Sequence, residues 1–423
     1  MVSVKLLLAL SLLSLPVLAL AAPKKHDDDD DDDSGSEDSS TDDGDDASAS
    51  DSSGKTYGII MDAGSGGTRA FAYSWSEGSP DKVETVMDDD KPFSVKLKPG
   101  LSSTPPGEIK KYMGKLIDGI SKVIPKSARA ETTVQLMATA GLRLLPGSQA
   151  DNIIAAAKSS LISSPFKASP TKAATIITGA QEGVYGWMAL NSLSDTLGGK
   201  SSIAAIAMGG SSTQITFSVP STALGLMQRV SSTLTPSLAR GGSSVKDPCG
   251  LKGDSVKGTS SKGGSVTLSG TGDVKGCLTA LRATLGLKSA CTQKPCAVQG
   301  AFQPEIPSGM SIQATNNFAD LAKAFGCDSD ESSAKCLLDA TAEKCPSMSA
   351  DEAKDEWAKD MDDPSLVCFQ GMFAAVLLID GFHIPADRPI TFSDDAGDVK
   401  KITYTLGAMM ASLNPSEINV SAK

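Results

Sequence analysis

The apolar and polar positions of the chain fall into one pattern that occurs twice. An apolar run at Tyr57-Gly58-Ile59-Ile60-Met61 ends on Asp62-Ala63, passes through Gly64-Ser65-Gly66-Gly67, and resumes as a strand-like run from Thr68-Arg69. The order returns at Ile203-Ala204-Ala205-Ile206-Ala207-Met208, the turn Gly209-Gly210-Ser211-Ser212, and Thr213-Gln214-Ile215-Thr216-Phe217. Each predicts a β-hairpin about a glycine-rich turn. Between them, Met113, Leu116, Ile117, Ile120 and Val123 have helical spacing, which predicts a helix over 109–124 that stops before Pro125. Residues 132–137 alternate as a strand, 150–161 read as a helix, 174–178 as a short buried strand, and 184–197 as a further helix. After the second hairpin, helices are predicted over 318–325, 332–343, 369–381 and 406–413. Residues 241–276 are rich in Gly, Ser and Lys and read as loop and ribbon. Strands alternating with helices predict an α/β fold, and the hairpin that restarts midway predicts a duplicated architecture.

A chain of 423 residues leads one to expect two domains. Residues 1–21 carry Lys5, an apolar run over 6–20 and the small-residue exit Ala19-Leu20-Ala21, which predicts a secretory signal peptide; an uncleaved signal anchor is the alternative, and Pro16 speaks against a long spanning helix. No other segment reads as a bilayer span, so none is expected after signal cleavage. Residues 22–55 are mostly Asp, Ser, Glu and Gly and are expected to be disordered, since they repel one another and have nothing to bury. They supply much of the net charge of −11, so the folded part is nearer neutral. Nucleic acid is not among the expected partners. All eight cysteines, Cys249, Cys277, Cys291, Cys296, Cys327, Cys336, Cys345 and Cys368, lie after the second hairpin. An even, clustered set behind a signal peptide predicts disulfides. A zinc site fits poorly, with only His26 and His383 and no C-x-x-C pair. The usable glycosylation sequon is Asn419-Val420-Ser421.

The turns carry the candidate chemistry. Glycine lets backbone amides approach an anion, so two such turns facing each other would grip a polyphosphate from both sides. Ala63, Gly64, Ser65, Gly66, Gly67 and Thr68 offer donors on one side, and Gly209, Gly210 and Ser211 on the other; a plain tight hairpin is the alternative. Asp62, at the mouth of the first turn, can hold a divalent cation through water or can cap the turn. Thr139 sits where a strand passes into a turn, and its hydroxyl can touch phosphate or the attacking water; ordinary turn chemistry is the alternative. Arg143 reads as a structural ion pair before a phosphate ligand. Glu182 follows a buried strand and precedes a glycine and a helix, where a carboxylate acts as a general base or stabilises the helix dipole. Trp187 reads as core.

Five signatures in order carry a family resemblance over the chain from about Thr56. They are Asp62-Ala63-Gly64-Ser65-Gly66-Gly67-Thr68-Arg69; Ala138-Thr139-Ala140-Gly141-Leu142-Arg143; Gly179-Ala180-Gln181-Glu182-Gly183; Met208-Gly209-Gly210-Ser211-Ser212-Thr213-Gln214; and Cys368-Phe369-Gln370-Gly371 with Asp380-Gly381-Phe382. With Thr405-Leu406-Gly407 near the end, the chain resembles the nucleoside triphosphate diphosphohydrolases, or apyrases, of the actin–hexokinase superfamily. The resemblance implies two ribonuclease-H-like lobes about a cleft, one formed by 56–178 and 396–423, the other by 179–395 with a disulfide-stabilised insertion. It implies a secreted or Golgi-lumenal hydrolase of nucleoside tri- and diphosphates (ATP, ADP, GDP, UDP) that uses magnesium or calcium. Glu182 matches the family's catalytic glutamate, Ser212 and Gln214 the residues that hold the nucleophilic water, and Asp62 a metal-site aspartate acting through water. Cys345 is expected to pair with Cys368; pairing among Cys249, Cys277, Cys291 and Cys296, and of Cys327 with Cys336, stays open. Three positions depart from the family. Ala207 stands where an acidic partner of Asp62 is usual, which makes a catalytically degenerate nucleotide binder the second reading. Gly66 stands where serine is common. In the segment 313–320, which in cell-surface relatives is helical and carries a base-stacking tyrosine, the aromatic platform is missing or shifted to Phe318, which leaves base preference open. A metabolite kinase of the same superfamily is a remoter reading.

Overall fold

Both sheets are built on one strand plan. In the computed structural model, residues 7–12, 54–80, 82–88, 91–198, 201–218, 244–259, 265–291, 294–329, 332–361 and 363–414 are described. The first sheet contains the antiparallel hairpin β1 (Lys55–Ala63) and β2 (Thr68–Ser76). After α1 (Ile109–Ile120), β3 (Thr133–Ala138) runs parallel to β1. After α2 (Gly147–Ile162), β4 (Ala174–Ile176) runs parallel to β3. Then α3 (Gly179–Leu193) leads to the second hairpin, β5 (Ala204–Met208) and β6 (Thr213–Ser218). Beyond a disulfide-bearing region with α4 (Val274–Thr284), β7 (Ile312–Asn316) lies parallel to β5. Helices α5 (Asn317–Ala324), α6 (Ala334–Lys344), α7 (Ala350–Trp357) and α8 (Val367–Val376) follow. The short β8 (Thr391–Phe392) runs parallel to β7, and α9 (Tyr404–Leu413) ends the described chain. The orders β4-β3-β1-β2 and β8-β7-β5-β6 are the same arrangement, which is the duplication expected from the hairpins.

Burial explains the layers. Ile59, Ile60 and Met61 of β1 are all fully buried, as a central strand covered on both faces must be. Ile59, Met61 and Ala63 face α1 and α2 through Met113, Leu116, Ile153 and Leu161. Ile60 faces the other way, into a cluster of Val184, Trp187 and Leu190 from α3 with Leu406, Met409 and Met410 from α9. Ala205 of β5 joins that cluster, whereas Ala204, Ile206 and Met208 face the core of the second sheet. Helices α3 and α9 therefore belong to a shared middle layer. The expected boundary at Gly179 falls where that layer begins. Close packing there explains the Thr-Leu-Gly signature: a Cβ on Gly407 would stand 2.0 Å from the Tyr185 carbonyl oxygen. Gly407→Ala is expected to destabilise the fold by about 1–3 kcal/mol through overpacking, read as a lowered unfolding midpoint in denaturant.

The second sheet carries the cysteines. They pair as Cys249–Cys277, Cys291–Cys296, Cys327–Cys336 and Cys345–Cys368, and no cysteine among the described residues is free. The stretch read as loop and ribbon forms strands Ser244–Asp247, Ser255–Thr259 and Ser265–Gly270, which Cys249 ties to α4. Among the described residues, Pro364–Gly381 alone has the length and apolarity to cross a bilayer, with a mean hydropathy of 1.5, but Val367 to Leu378 sit largely in the second core. The expected acidic segment up to Ser53 and the sequon lie outside the described residues. So does the expected leader, apart from Leu7–Leu12, which pairs antiparallel with β6.

The helix expected over 318–325 is α5, which begins at Asn317, and the residues before it, Ile312 to Asn316, form β7, a strand that the sequence did not predict. Phe318 is fully buried in the second core, so it cannot act as an exposed platform for a base. The loss of the strand from the sequence reading has a physical cause. Gln313 and Thr315 are polar although the strand is central. The Gln313 side-chain amide is satisfied by donating to the carbonyls of Ser393 and Asp395, each at 2.8 Å.

Candidate active site

The hairpin register makes the two turns equivalent residue by residue. In the first, Asp62 faces Arg69 and Ala63 faces Thr68; in the second, Ala207 faces Gln214 and Met208 faces Thr213. Both turns close with the same bond: the Gly64 amide donates to the Gly67 carbonyl at 3.1 Å, and the Gly209 amide to the Ser212 carbonyl at 2.9 Å. Asp62 therefore corresponds to Ala207, Ser65 to Gly210, Gly66 to Ser211 and Gly67 to Ser212. Side chains alternate along a strand, so Asp62 shares a face with Ile60, and Ala207 with Ala205. Both positions project toward the middle layer. The turns also meet: a Cβ on Gly210 would lie 3.0 Å from the Ser65 hydroxyl. A Cβ on Gly141 would lie 2.9 Å from the Ser65 Cα, so the Ala140–Arg143 helical turn supports the first loop from behind. Gly66 is exposed, and a Cβ there would meet no atom within 4 Å.

Glu182 stands at this junction. A capping box fixes the start of α3: the Gln181 amide donates to Thr178 Oγ1 at 3.1 Å, and the Thr178 amide to Gln181 Oε1 at 2.9 Å. That places Glu182 in the first turn, against the second hairpin. Gln214 Nε2 lies 3.4 Å from Glu182 Oε2 and 2.9 Å from Ser212 Oγ. Arg143 Nη2 donates to Glu182 Oε2 at 2.7 Å and to Ser212 Oγ at 3.2 Å. The ion pair expected of Arg143 is present, and its partner is the candidate base. Burial pushes the Glu182 carboxyl above the usual range, while the Arg143 guanidinium pulls it down.

Asp62 lies on the other side. Burial raises its carboxyl to about 6 against the pull of Arg69, with Glu182 raising it further and Tyr404 lowering it. Arg69 Nη1 is 3.6 Å from Asp62 Oδ2. The Tyr404 hydroxyl is 3.0 Å from Asp62 Oδ1 and 3.1 Å from the Met137 carbonyl, so its one proton goes to either acceptor. Tyr404 was missed from the sequence. It directly precedes Thr405-Leu406-Gly407, and only the packing of α9 brings it to β1.

Not every expected donor faces the gap. Thr68 is fully buried, and its Oγ1 accepts from the Leu101 amide at 3.2 Å, so it anchors the loop after Leu97. Ala63 is also fully buried. The Gly64 and Gly209 amides close their own turns. Thr139 is buried at the end of β3, its amide on the Ala63 carbonyl at 3.2 Å. Among the described residues no three His, Cys, Asp or Glu side chains gather as a cation cage. Of the two equivalent positions one pair back from the glycine turns, the first carries the Asp62 carboxylate and the second the Ala207 methyl. This donor set suits a divalent cation that arrives on phosphates and keeps most of its waters.

The GDA1/CD39 (nucleoside phosphatase) family model matches residues 48–233 and 223–422. A curated Golgi apyrase of Schizosaccharomyces pombe is 29% identical over 435 residues, covering 86% of this chain and 73% of the relative. The nucleoside-triphosphatase ntp-1 of Caenorhabditis elegans is 26% identical over 401 residues, 84% and 72% of the two chains. A crystal structure of nucleoside triphosphate hydrolases from Neospora caninum matches with a TM-score of 0.53 at 12% identity, covering 86% of this chain and 93% of that one, which shows a shared fold. With two glycine turns meeting beside Glu182 and a family match across nearly the whole folded chain, the protein belongs to the GDA1/CD39 family of nucleoside phosphatases.

Proposed function

We propose that this nucleoside phosphatase releases the terminal phosphate of nucleoside tri- and diphosphates by direct attack of water, with Glu182 as general base. The observation that supports this most is the cluster of Glu182, Gln214 and Ser212 where the two turns meet. Ser212 Oγ and Gln214 Nε2 hold the water beside Glu182. Glu182 takes its proton, the oxygen attacks phosphorus in line, and the bond to the leaving phosphate oxygen breaks without a covalent intermediate. The amides of Ser65, Gly66, Gly210 and Ser211 are the donors assigned to phosphate oxygens, since those of Gly64 and Gly209 hold the turns closed. Asp62 would hold a divalent cation, magnesium or calcium, which would supply charge neutralisation on the phosphates. The leader-like residues 1–21 and the Golgi apyrase of S. pombe favour the lumen of the secretory pathway, in the Golgi or beyond it.

The test is phosphate release from ATP, ADP, GDP and UDP by purified mature protein with magnesium or calcium, with and without chelator. Release that stops on chelation is expected. Nucleotide binding without release would instead support the degenerate binder, which the missing carboxylate at Ala207 motivates. Cleavage of ATP without any acceptor is not expected of a strict kinase.

A further inference from the structure

Arg143 occupies the place where the proposed mechanism needs water. It ends the short helix Ala140–Arg143 behind the first turn, and its side chain reaches the second hairpin. Nη1 donates to the Ile177 carbonyl at 2.9 Å, while Nη2 is shared between Glu182 Oε2 at 2.7 Å and Ser212 Oγ at 3.2 Å. A carboxylate that accepts from a guanidinium is a weakened base, and Ser212 Oγ is already engaged. Both side chains of the ion pair are little exposed, 18% and 16%, so solvent screens it poorly. Catalysis by Glu182 therefore requires Nη2 to leave.

We infer that Arg143 couples arrival of the terminal phosphate to release of the base: Nη2 holds Glu182 in the nucleotide-free site and passes to a phosphate oxygen when substrate enters. This rests on the assignment of Glu182 as base. A terminal phosphate offers a guanidinium stronger, doubly charged competition than one carboxylate, in a geometry that the fork of Arg matches. The anchor on Ile177 lets Nη2 exchange partners without moving the backbone. The freed Glu182 then faces Ser212 and Gln214 with room for water between them. Among the described residues the charged and titratable groups about Glu182 are Arg143, Asp62 and Tyr404, and of these Arg143 bonds to it directly.

The inference is tested by calorimetric binding of the non-hydrolysable β,γ-imido analogue of ATP with magnesium to wild type, Glu182→Gln, Arg143→Met and the double variant. Glu182→Gln removes the competitor for Nη2, so it should tighten binding in the wild-type background by ~10-fold more than in the Arg143→Met background, a coupling within the range measured for contacting residues. An equal or larger gain in the Arg143→Met background would overturn the inference, because general relief of repulsion needs no exchange of partners. Arg143→Lys keeps the charge and loses the fork. It replaces Arg143→Met should that variant fold poorly or bind too weakly to titrate, and its gain should also fall short of the wild-type gain; a full gain counts against the exchange. Phosphate release by Glu182→Gln is measured in parallel. An active Glu182→Gln defeats the assignment of the base, whereas an inactive one without coupling defeats only the exchange.

Discussion

Glu182→Gln is expected to lower kcat for phosphate release by about 100- to 10,000-fold, the usual contribution of a positioned general base. The substitution is close to isosteric and keeps a hydrogen-bonding group toward Gln214 and Ser212, so the site should retain its shape. The capping box that starts α3 involves Thr178 and Gln181 and does not depend on Glu182. The variant should therefore unfold cooperatively near the wild-type midpoint. It also leaves Arg143 facing a neutral amide in place of a carboxylate, and the nucleotide should still bind. Activity within a few-fold of wild type would show that water is deprotonated elsewhere, by solvent or by the phosphate itself, and the proposed mechanism would be withdrawn.

Ala207→Asp should lower the cation concentration needed for half-maximal phosphate release by about 10–100-fold, the range typical of restored outer-sphere metal partners. The register gives the reason. Ala207 and Asp62 each stand one pair back from the end of their hairpins, on faces turned toward the middle layer. A carboxylate at Ala207 would therefore reproduce on the second turn what Asp62 supplies on the first. The position is only half-buried, so a charged side chain does not have to be fully desolvated. Titrations of magnesium and calcium against phosphate release, for wild type and variant, read the effect directly. An unchanged half-saturation would mean that the two hairpins do not share a cation, and that Ala207 is no defect. Asp62→Ala should act in the opposite direction and raise the requirement in both cations.

Local chemistry and chain order were legible in the sequence. The hairpins were visible because a central strand must be apolar on both faces and its turn must be small and polar, and Tyr57 to Arg69 and Ile203 to Phe217 meet both conditions. The disulfide-rich second half and the pairing of Cys345 with Cys368 were read in the same way or through the family resemblance, whereas α3 begins at Gly179, five residues before the expected start, because the Thr178–Gln181 capping box opens it ahead of its apolar spacing. β7 was not legible, because its polar Gln313 and Thr315 are satisfied by partners distant in sequence. Helix α4 was hidden because it begins inside a Gly/Ser/Lys-rich stretch.

By itself, then, the sequence determined the two turns, their donors and the family to which they belong, since these depend on residues within a few positions of one another. Only the tertiary structure decided which donors face the gap. It turned Thr68 inward onto Leu101, brought Tyr404 to Asp62 across more than three hundred residues, and set Arg143 on Glu182. Those contacts join segments with no local relation. They are fixed by how two sheets pack about a shared layer of helices, which no pattern of neighbouring residues encodes.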